Sequence, residues 1–245
     1  MTDKTTEAYR LGQRLTRRFY KAIRQYELIQ PDDRILVGLS GGKDSLALVE
    51  LLGAWRRRHG NSISVTALHV RMDNVEYHSD VQYLNRFCQE HNVEFEWRRG
   101  TFDPDRKERR SPCFLCSWNR RKILFEAARD MGAGKIALGH HEDDVLHTLL
   151  LNLTYQGTFA TMPVRLRMRK FPLTIIRPLC RIAETDIAAW ATIRQYQQVL
   201  KTCPYDTVGQ RSGMRELFRQ MEHQNPEIRY NLWHALEKEG RLIQE

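Results

Sequence analysis

The sequence predicts an α/β protein: a doubly wound, Rossmann-like parallel sheet with helices on both faces. An N-terminal helix precedes it and a C-terminal helical extension follows. Three observations carry that expectation. Short apolar runs alternate with longer amphipathic stretches, the pattern of strands joined by crossover helices. The first run, "RILVGL" (34–39), passes straight into "SGGKDS", a glycine-rich turn that opens a helix. The 245 residues are 41% hydrophobic and 28% charged, enough apolar material for one large core and with no low-complexity tract. The chain divides into a basic N-terminal helix (1–30), a sheet domain (31–200) and a C-terminal segment (201–245).

Each element has its own signature. In residues 7–28, Leu11, Leu15, Phe19, Ala22 and Tyr26 form one apolar helical stripe. Arg10, Arg14, Arg17, Lys21 and Arg24 recur on another face, which suits either a solvated surface or a track along phosphates. The strand at 34–39 is followed by a helix over 44–58, with Leu46, Val49 and Leu52 inward. "SVTALHV" (64–70) reads as the second strand. A helix over 78–92 follows, capped by Ser79 or Asp80, then a third strand, "VEFEW" (93–97). Residues 98–112 form a polar loop, long for a compact domain and therefore a functional candidate. A helix over 117–131 ends at Gly132, and "KIALGH" (135–140) is the fourth strand. After a helix from 143 to 155, "LTIIRPL" (173–179) and "QVL" (198–200) give the fifth and sixth strands, flanking a helix over 183–196. "SGMRELFRQMEHQ" and "PEIRYNLWHALEKE" are the closing helices.

The net charge is +9 and the pI about 9.5, a balance that suits a polyanion, with nucleic acid first. "VRLRMRKF" (164–171) adds a basic strand face through Arg165, Arg167 and Arg169. With "RKERR" (106–110) it suits a phosphate backbone. No apolar run reaches membrane-spanning length and the first residues lack a signal-peptide pattern, so a cytoplasmic protein with no membrane partner is expected. Five cysteines in such a chain argue against a disulfide framework.

The turn after the first strand is not a Walker A loop. Val37 stands where that motif needs its first glycine, and Asp44 follows Gly42-Lys43. Gly41 and Gly42 allow a tight turn that aims several N–H groups at one anion, and the helix N-terminus adds favourable partial charge. Ser40 and Ser45 offer hydroxyl donors, Lys43 neutralises phosphate, and Asp44 suits a phosphate-bridging Mg²⁺. A second motif, "GHHEDD" (139–144), leaves the fourth strand at the same sheet edge. There Gly139 permits close approach, while His140, His141, Asp143 and Asp144 bring imidazoles and carboxylates near the phosphates. The bland reading of those acids is a well-capped helix start.

"SPCFLCSWNRRK" supplies Cys113 and Cys116, half a tetrahedral site at most, and the distal region adds only Cys203, with Asp206 three residues on. Three thiolates suit a four-iron four-sulfur cluster with one open iron. Zinc held by the same three cysteines plus Asp206 or water is the alternative, and three unrelated thiols the plain one.

The loop resembles that of the PP-loop ATP pyrophosphatase superfamily, which reads SGGxDS. The resemblance implies an adenine nucleotide α-hydrolase type of fold and cleavage of ATP between its α- and β-phosphates. AMP would pass to a carbonyl-type oxygen, with adenine held at the end of the second strand near His69 and Val70. Nearly the whole chain resembles the tRNA 2-thiocytidine synthetase (TtcA) family or a close paralogue. The likeness rests on "DRILVGLSGGKDS", "PCFLCS" followed by Arg120-Arg121, "KIALGHHEDD", "LLLNLTYQGTFATMPV", "IIRPL" and the late cysteine. That family implies ATP- and iron–sulfur-dependent tRNA thiolation, at cytidine C2 in the anticodon stem-loop. Cys113, Cys116 and Cys203 would hold the cluster, and Lys43, Asp44, Asp144 and Arg120 would act in catalysis. Ser40, Gly41, Gly42, Lys43, Asp44, Ser45, His69, Val70, Gly139, His140 and Asp143 would hold the nucleotide, with Arg177 a further phosphate or substrate contact. A sulfur donor, such as a cysteine desulfurase or free sulfide, and a homodimer are implied as well. The chain departs from the family's frequent distal cysteine pair by reading "CPYD" at 203–206. Two other readings compete. A lysidine-synthetase-like amination leaves the cysteines without a role, and a zinc-stabilised RNA-binding protein leaves "SGGKDS" unexplained.

Overall fold

The computed structural model describes residues 3–73, 76–78, 80–102, 111–198, 200–202 and 210–245. Helix α1 (Asp3–Gln25) precedes β1 (Arg34–Gly38), α2 (Lys43–Arg58), β2 (Ser64–Met72) and β3 (Glu76–His78). Then come α3 (Val81–Glu90), β4 (Glu94–Gly100), α4 (Pro112–Asp130), β5 (Lys135–Ala137) and α5 (Glu142–Gln156). The chain continues through β6 (Arg165–Arg167), β7 (Thr174–Ile176), α6 (Glu184–Ile193) and β8 (Leu200–Thr202). It closes with α7 (Gln210–Gln224), α8 (Ile228–Lys238) and β9 (Ile243–Gln244).

Seven strands form one sheet in the order β4-β2-β1-β5-β7-β6-β9. From β4 to β7 every pairing is parallel. The chain winds one way from β1 through β2 to β4, then returns to build β5 and β7 on the other side of β1. The switch point therefore lies between β1 and β5, where open α/β sheets bind ligands beyond the strand ends. Side chains of β1 alternate between two cores, as a doubly covered sheet requires. Ile35 and Val37 join Val65 and Ala67 on one face. Leu36 joins Leu68 and Ile136 on the other, beneath Leu124, Ala127 and Ala128 of α4.

The apolar stripe of α1 is buried as its spacing predicts. Leu15 and Phe19 are 1% and 0% exposed, and each burial contributes about 2 kcal/mol. Phe218 of α7 and Trp233 and Leu236 of α8 enter the same core. No helix among the described residues is long and apolar enough to cross a membrane.

Several local expectations are corrected. Helix α4 starts at Pro112, not 117: Ser111 caps it by accepting the Phe114 N–H at 3.3 Å, and Pro112 occupies the first turn. Strand β4 runs on to Gly100, because β2 continues beside it as far as Met72. Helix α3 starts at Val81, with the Asp80 side chain accepting the Gln82 N–H at 2.9 Å, and His78 belongs to β3. The expected sixth strand of the parallel sheet is instead β8, which pairs antiparallel with β3 in a separate two-stranded sheet. The basic strand face at 164–171 is only three residues of β6, antiparallel to β7. Its Arg165 is taken up by Glu245 at 2.7 Å and Glu27 at 3.3 Å. The "RKERR" segment lies outside the described residues.

Candidate active site

The glycine-rich turn leaves β1 at Gly38 and enters α2 at Lys43. Gly41 has φ +81°, a backbone angle that excludes most side chains. Two serines knit the turn. Ser45 Oγ accepts the Gly41 N–H at 3.1 Å and donates to the Gly42 carbonyl at 2.9 Å, while Ser40 Oγ accepts the Gly42 N–H at 3.3 Å. Gly42 is the N-cap of α2 and supplies no side-chain cap, so the helix's first N–H groups face the turn's mouth.

Lys43 Nζ lies 3.0 Å from Asp44 Oδ1 and donates to Glu184 Oε1 at 3.1 Å. Burial opposes its charge, but the two carboxylates outweigh that and hold the ammonium above the usual lysine range. Burial likewise opposes ionisation of Glu184, and Lys43 overcomes it, so this carboxyl sits below its usual range. Asp44 Oδ1 is buried, makes no aligned hydrogen bond and has the Lys43 ammonium 3.0 Å away, so it already lies where a cation is held and a metal there would share it with Lys43.

The second motif closes against the first. A Cβ on Gly139 would sit 3.1 Å from the Asp44 carbonyl carbon and the Ser45 nitrogen, so only glycine fits there without moving the turn. His141, 3% exposed, stands among three carboxylates: Asp144 at 3.5 Å, Asp143 at 3.7 Å and Asp44 at 3.9 Å. Asp144 caps α5 by accepting the His141 N–H at 3.1 Å. Both oxygens of Asp143 are engaged: Oδ2 accepts the Glu184 N–H at 2.7 Å and Oδ1 accepts from Arg229 at 2.5 Å. Burial opposes its charge, and Arg229 with that N–H still holds the carboxyl below its usual range. Arg229 also bonds Glu142 at 3.2 Å and Glu222 of α7. His140 Nδ1 accepts from Arg177 Nε at 3.3 Å, and Arg177 also donates to the Pro163 carbonyl. Burial pulls the Arg177 guanidinium down to about 10.

His69 and Val70 lie within β2 rather than at its end. The His69 ring is 1% exposed and its Nδ1–H donates to the Leu39 carbonyl at 2.9 Å, bracing the start of the turn. The pairing of β1 with β2 ends at Gly38 and Leu68, so β2 runs on through His69 and Val70 past the point where β1 departs.

Cys113 and Cys116 occupy the first turn of α4, three residues apart and so on one helix face. Cys113 is exposed and Cys116 half-buried, packed against Met72, Phe102 and Leu115. Arg120 sits one turn further along α4. Cys203 and Asp206 lie outside the described residues. Thr202, immediately before Cys203, pairs with Glu76, four residues after Met72. The other two cysteines, Cys88 and Cys180, are 0% exposed, and burial pushes their thiols up, Cys88 to about 12. They are core residues. Among the described residues no three or more His, Cys, Asp or Glu side chains are gathered as a metal site.

Sequence reasoning missed Glu184 and Arg229. Neither stands in a motif: Glu184 is 141 residues from Lys43, and Arg229 is 86 from Asp143. Only the fold brings them in.

A family model described as a PP-loop domain matches residues 11–234. A tRNA-cytidine(32) 2-sulfurtransferase of Anaeromyxobacter sp. (strain K) is 35% identical over 239 residues, covering 94% of this chain and 80% of the relative. One from Bordetella avium (strain 197N) is 33% identical, covering 95% and 75%. In solved structures, the U34-tRNA thiolase NcsA from Methanococcus maripaludis, with its [4Fe-4S] cluster, is similar at a TM-score of 0.77 and 25% identity, over 93% of this chain and 79% of that one.

Proposed function

This chain belongs to the PP-loop family, alongside the tRNA-cytidine 2-sulfurtransferases, and on that premise we propose that it is an ATP-dependent tRNA thiolase. Its substrate on this reading is a cytidine of the anticodon stem-loop, at the position named for those relatives, and its product the 2-thio base. The carrying observation is the closure of two strand-end turns at the switch point, with Gly139 against the backbone of Asp44 and Ser45.

The chemistry follows from what these residues offer. The base's O2 attacks the α-phosphorus of ATP, and pyrophosphate leaves from the grip of the 40–45 turn. The α2 N-terminus and Lys43 stabilise charge developing on the leaving group. Asp44, with one buried oxygen lacking an aligned hydrogen bond, is the residue that would hold Mg²⁺, which takes one or two carboxylates alongside substrate phosphates. Adenine would rest where β2 runs on past β1, at His69 and Val70. Sulfur then replaces the adenylated oxygen at C2, and AMP leaves.

The donor set on α4 fits a cluster. Two soft thiols share one helix face at the positive end of a helix, a setting that favours an anionic group. On this reading the third ligand is Cys203. When bound, a four-iron cluster held by the three cysteines would supply a site for the incoming sulfur. Arg120, one turn beyond Cys116, would orient the base or its phosphate. Asp143 serves the site as an anchor, tying Glu184 and α8 to the turn, while Asp144 and His141 shape its wall. Free sulfide, or a cysteine desulfurase that supplies it in the presence of a thiol reductant, is the sulfur source, and a homodimer belongs to the same proposal.

The test is anaerobic reconstitution with iron and sulfide, followed by incubation with ATP, sulfide and unmodified tRNA. The expected result is 2-thiocytidine by nucleoside mass spectrometry, with AMP and pyrophosphate in equal amounts. A colourless protein that holds stoichiometric zinc after reconstitution and makes no thiolated nucleoside overturns the reading.

A further inference from the structure

A second basic feature lies outside this site. A groove of about 1050 Å³ runs between α1, the C-terminal end of α2 and α6. Five arginines line it, Arg10, Arg14, Arg17, Arg24 and Arg58, and no Asp or Glu does. All five are exposed. Among the described residues only Arg14 is paired with a carboxylate, Asp186, at 2.7 Å. Four cations held side by side without counter-charges repel one another, an arrangement that a polyanion relieves.

Aromatic rings alternate with the charges. Tyr9 is 64% exposed, and Arg58 lies 5.9 Å from the Tyr20 ring centroid. His59 stacks on Trp55 at 4.0 Å and neighbours Tyr20 at 5.7 Å. The floor is built rather than incidental: a Cβ on Gly12 would meet the Trp190 ring at 3.0 Å, so α1 and α6 touch closely there. Arginines interleaved with flat rings are the chemistry that takes hold of RNA.

The groove is also joined to the active site. Glu184 in the first turn of α6 grips Lys43, and Asp186, two residues on, grips Arg14. Its far end, at Arg58 and His59, is the opposite end of α2 from the phosphate turn. A helix of that length spans about 24 Å, a distance that a single stem of folded RNA covers. One nucleic acid can therefore reach both.

We infer that this groove docks the phosphodiester backbone of the tRNA while its reacting base occupies the site beyond β1 and β5. The inference rests on the thiolase reading. It assigns Arg10, Arg17, Arg24 and Arg58 to sequence-independent phosphate contacts that position the substrate and take no part in the chemistry.

The test uses the full-length reconstituted protein and fluorescein-labelled tRNA, with affinity measured across a range of salt concentrations. The R10Q/R17Q/R24Q variant changes only exposed side chains. It is expected to bind about 10- to 100-fold more weakly, with the slope of log K against log salt smaller by about 2 to 3. The KM for tRNA should rise, while kcat at saturating tRNA stays at the wild-type value. The R10K/R17K/R24K variant should keep the slope, and R98Q/R129Q/R219Q, which removes three arginines elsewhere, should bind as wild type. An unchanged slope in the glutamine variant, or an equal loss in the control triple, overturns the groove. A wild-type protein that neither binds nor thiolates tRNA overturns the thiolase reading, and the groove falls with it. A wild type that binds and thiolates beside a variant of unchanged slope overturns the groove alone.

Discussion

The two ends of the candidate site are built on opposite plans. The phosphate end draws on five segments: the turn after β1, the turn after β5, and the helices α6, α7 and α8. Its charges are already matched before any substrate arrives, Lys43 by Asp44 and Glu184, and Arg229 by Glu142, Asp143 and Glu222. The cysteine end offers one helical turn, with one thiol exposed and the other half-buried. The first plan suits electrostatic stabilisation, which needs donors fixed in advance. The second suits soft ligands, whose geometry an incoming metal group completes. Breaking each end should therefore produce different failures.

The largest expected contrast separates the two half-reactions. Lys43→Ala removes a cation from the leaving-group grip and should cut pyrophosphate release and thiolation together, about 10²- to 10³-fold. Cys113→Ala should abolish thiolated nucleoside while adenylation, read as ATP–pyrophosphate exchange with tRNA present, continues. If Cys113→Ala lowers exchange as much as Lys43→Ala does, the two ends are one unit and the contrast fails.

The next contrast concerns stability. Arg229→Met leaves Asp143 and Glu142 without their cation, and the Asp143 side chain is 8% exposed. Removing one partner of a buried pair costs 3–5 kcal/mol, and the partial exposure of Arg229 brings the expectation to about 2–3 kcal/mol. Urea denaturation checks it, and iron content after reconstitution should not change. Among the cysteines, Cys180→Ala, in the core shared by α1, α5 and α8, is the matching control. It deletes a fully buried thiol, should cost about 1 kcal/mol, and should leave both iron content and thiolation intact.

This division also explains what could be read from the sequence. The turns at 40–45 and 139–144 are legible because short backbone-dominated loops at strand ends carry their chemistry in adjacent residues. Glycine at 139 is explicable only once the turn it touches is in place. The start of α4 was missed, because Ser111 and Pro112, which mark it, were absorbed into the long polar loop expected over 98–112. Glu184 and Arg229 had no such mark, because an ion pair across the fold leaves no local pattern. Strands β3 and β8 are three residues each, too short for alternation to show. The two residues of β9 escaped for the same reason, whereas β6 was expected within the longer strand at 164–171.

The smallest expected effect tests how the C-terminal helices lock onto the phosphate end. His147 on α5 meets the Phe218 ring of α7 edge-on at 5.2 Å. Burial lowers its pKa below the ordinary imidazole value of 6.5, and neighbouring Asp143 only partly offsets this. The folded state thus prefers the neutral imidazole, and the unfolded chain binds more protons near that pH. Stability from this residue is complete above pH 6.5 and is lost as the pH falls toward the lower folded value. His91 is shifted down for the same leading reason and adds in the same direction. Asp143, shifted down as an acid, begins to lose its contribution only below its ordinary value of 3.8, so the decline begins with the histidines. Melting temperature should therefore decline from neutral pH toward pH 5, and His147→Asn should flatten that decline. An unchanged pH slope in the variant would mean that α7 holds its place without the neutral ring, through the burial of Phe218 and the Arg229 ion pairs.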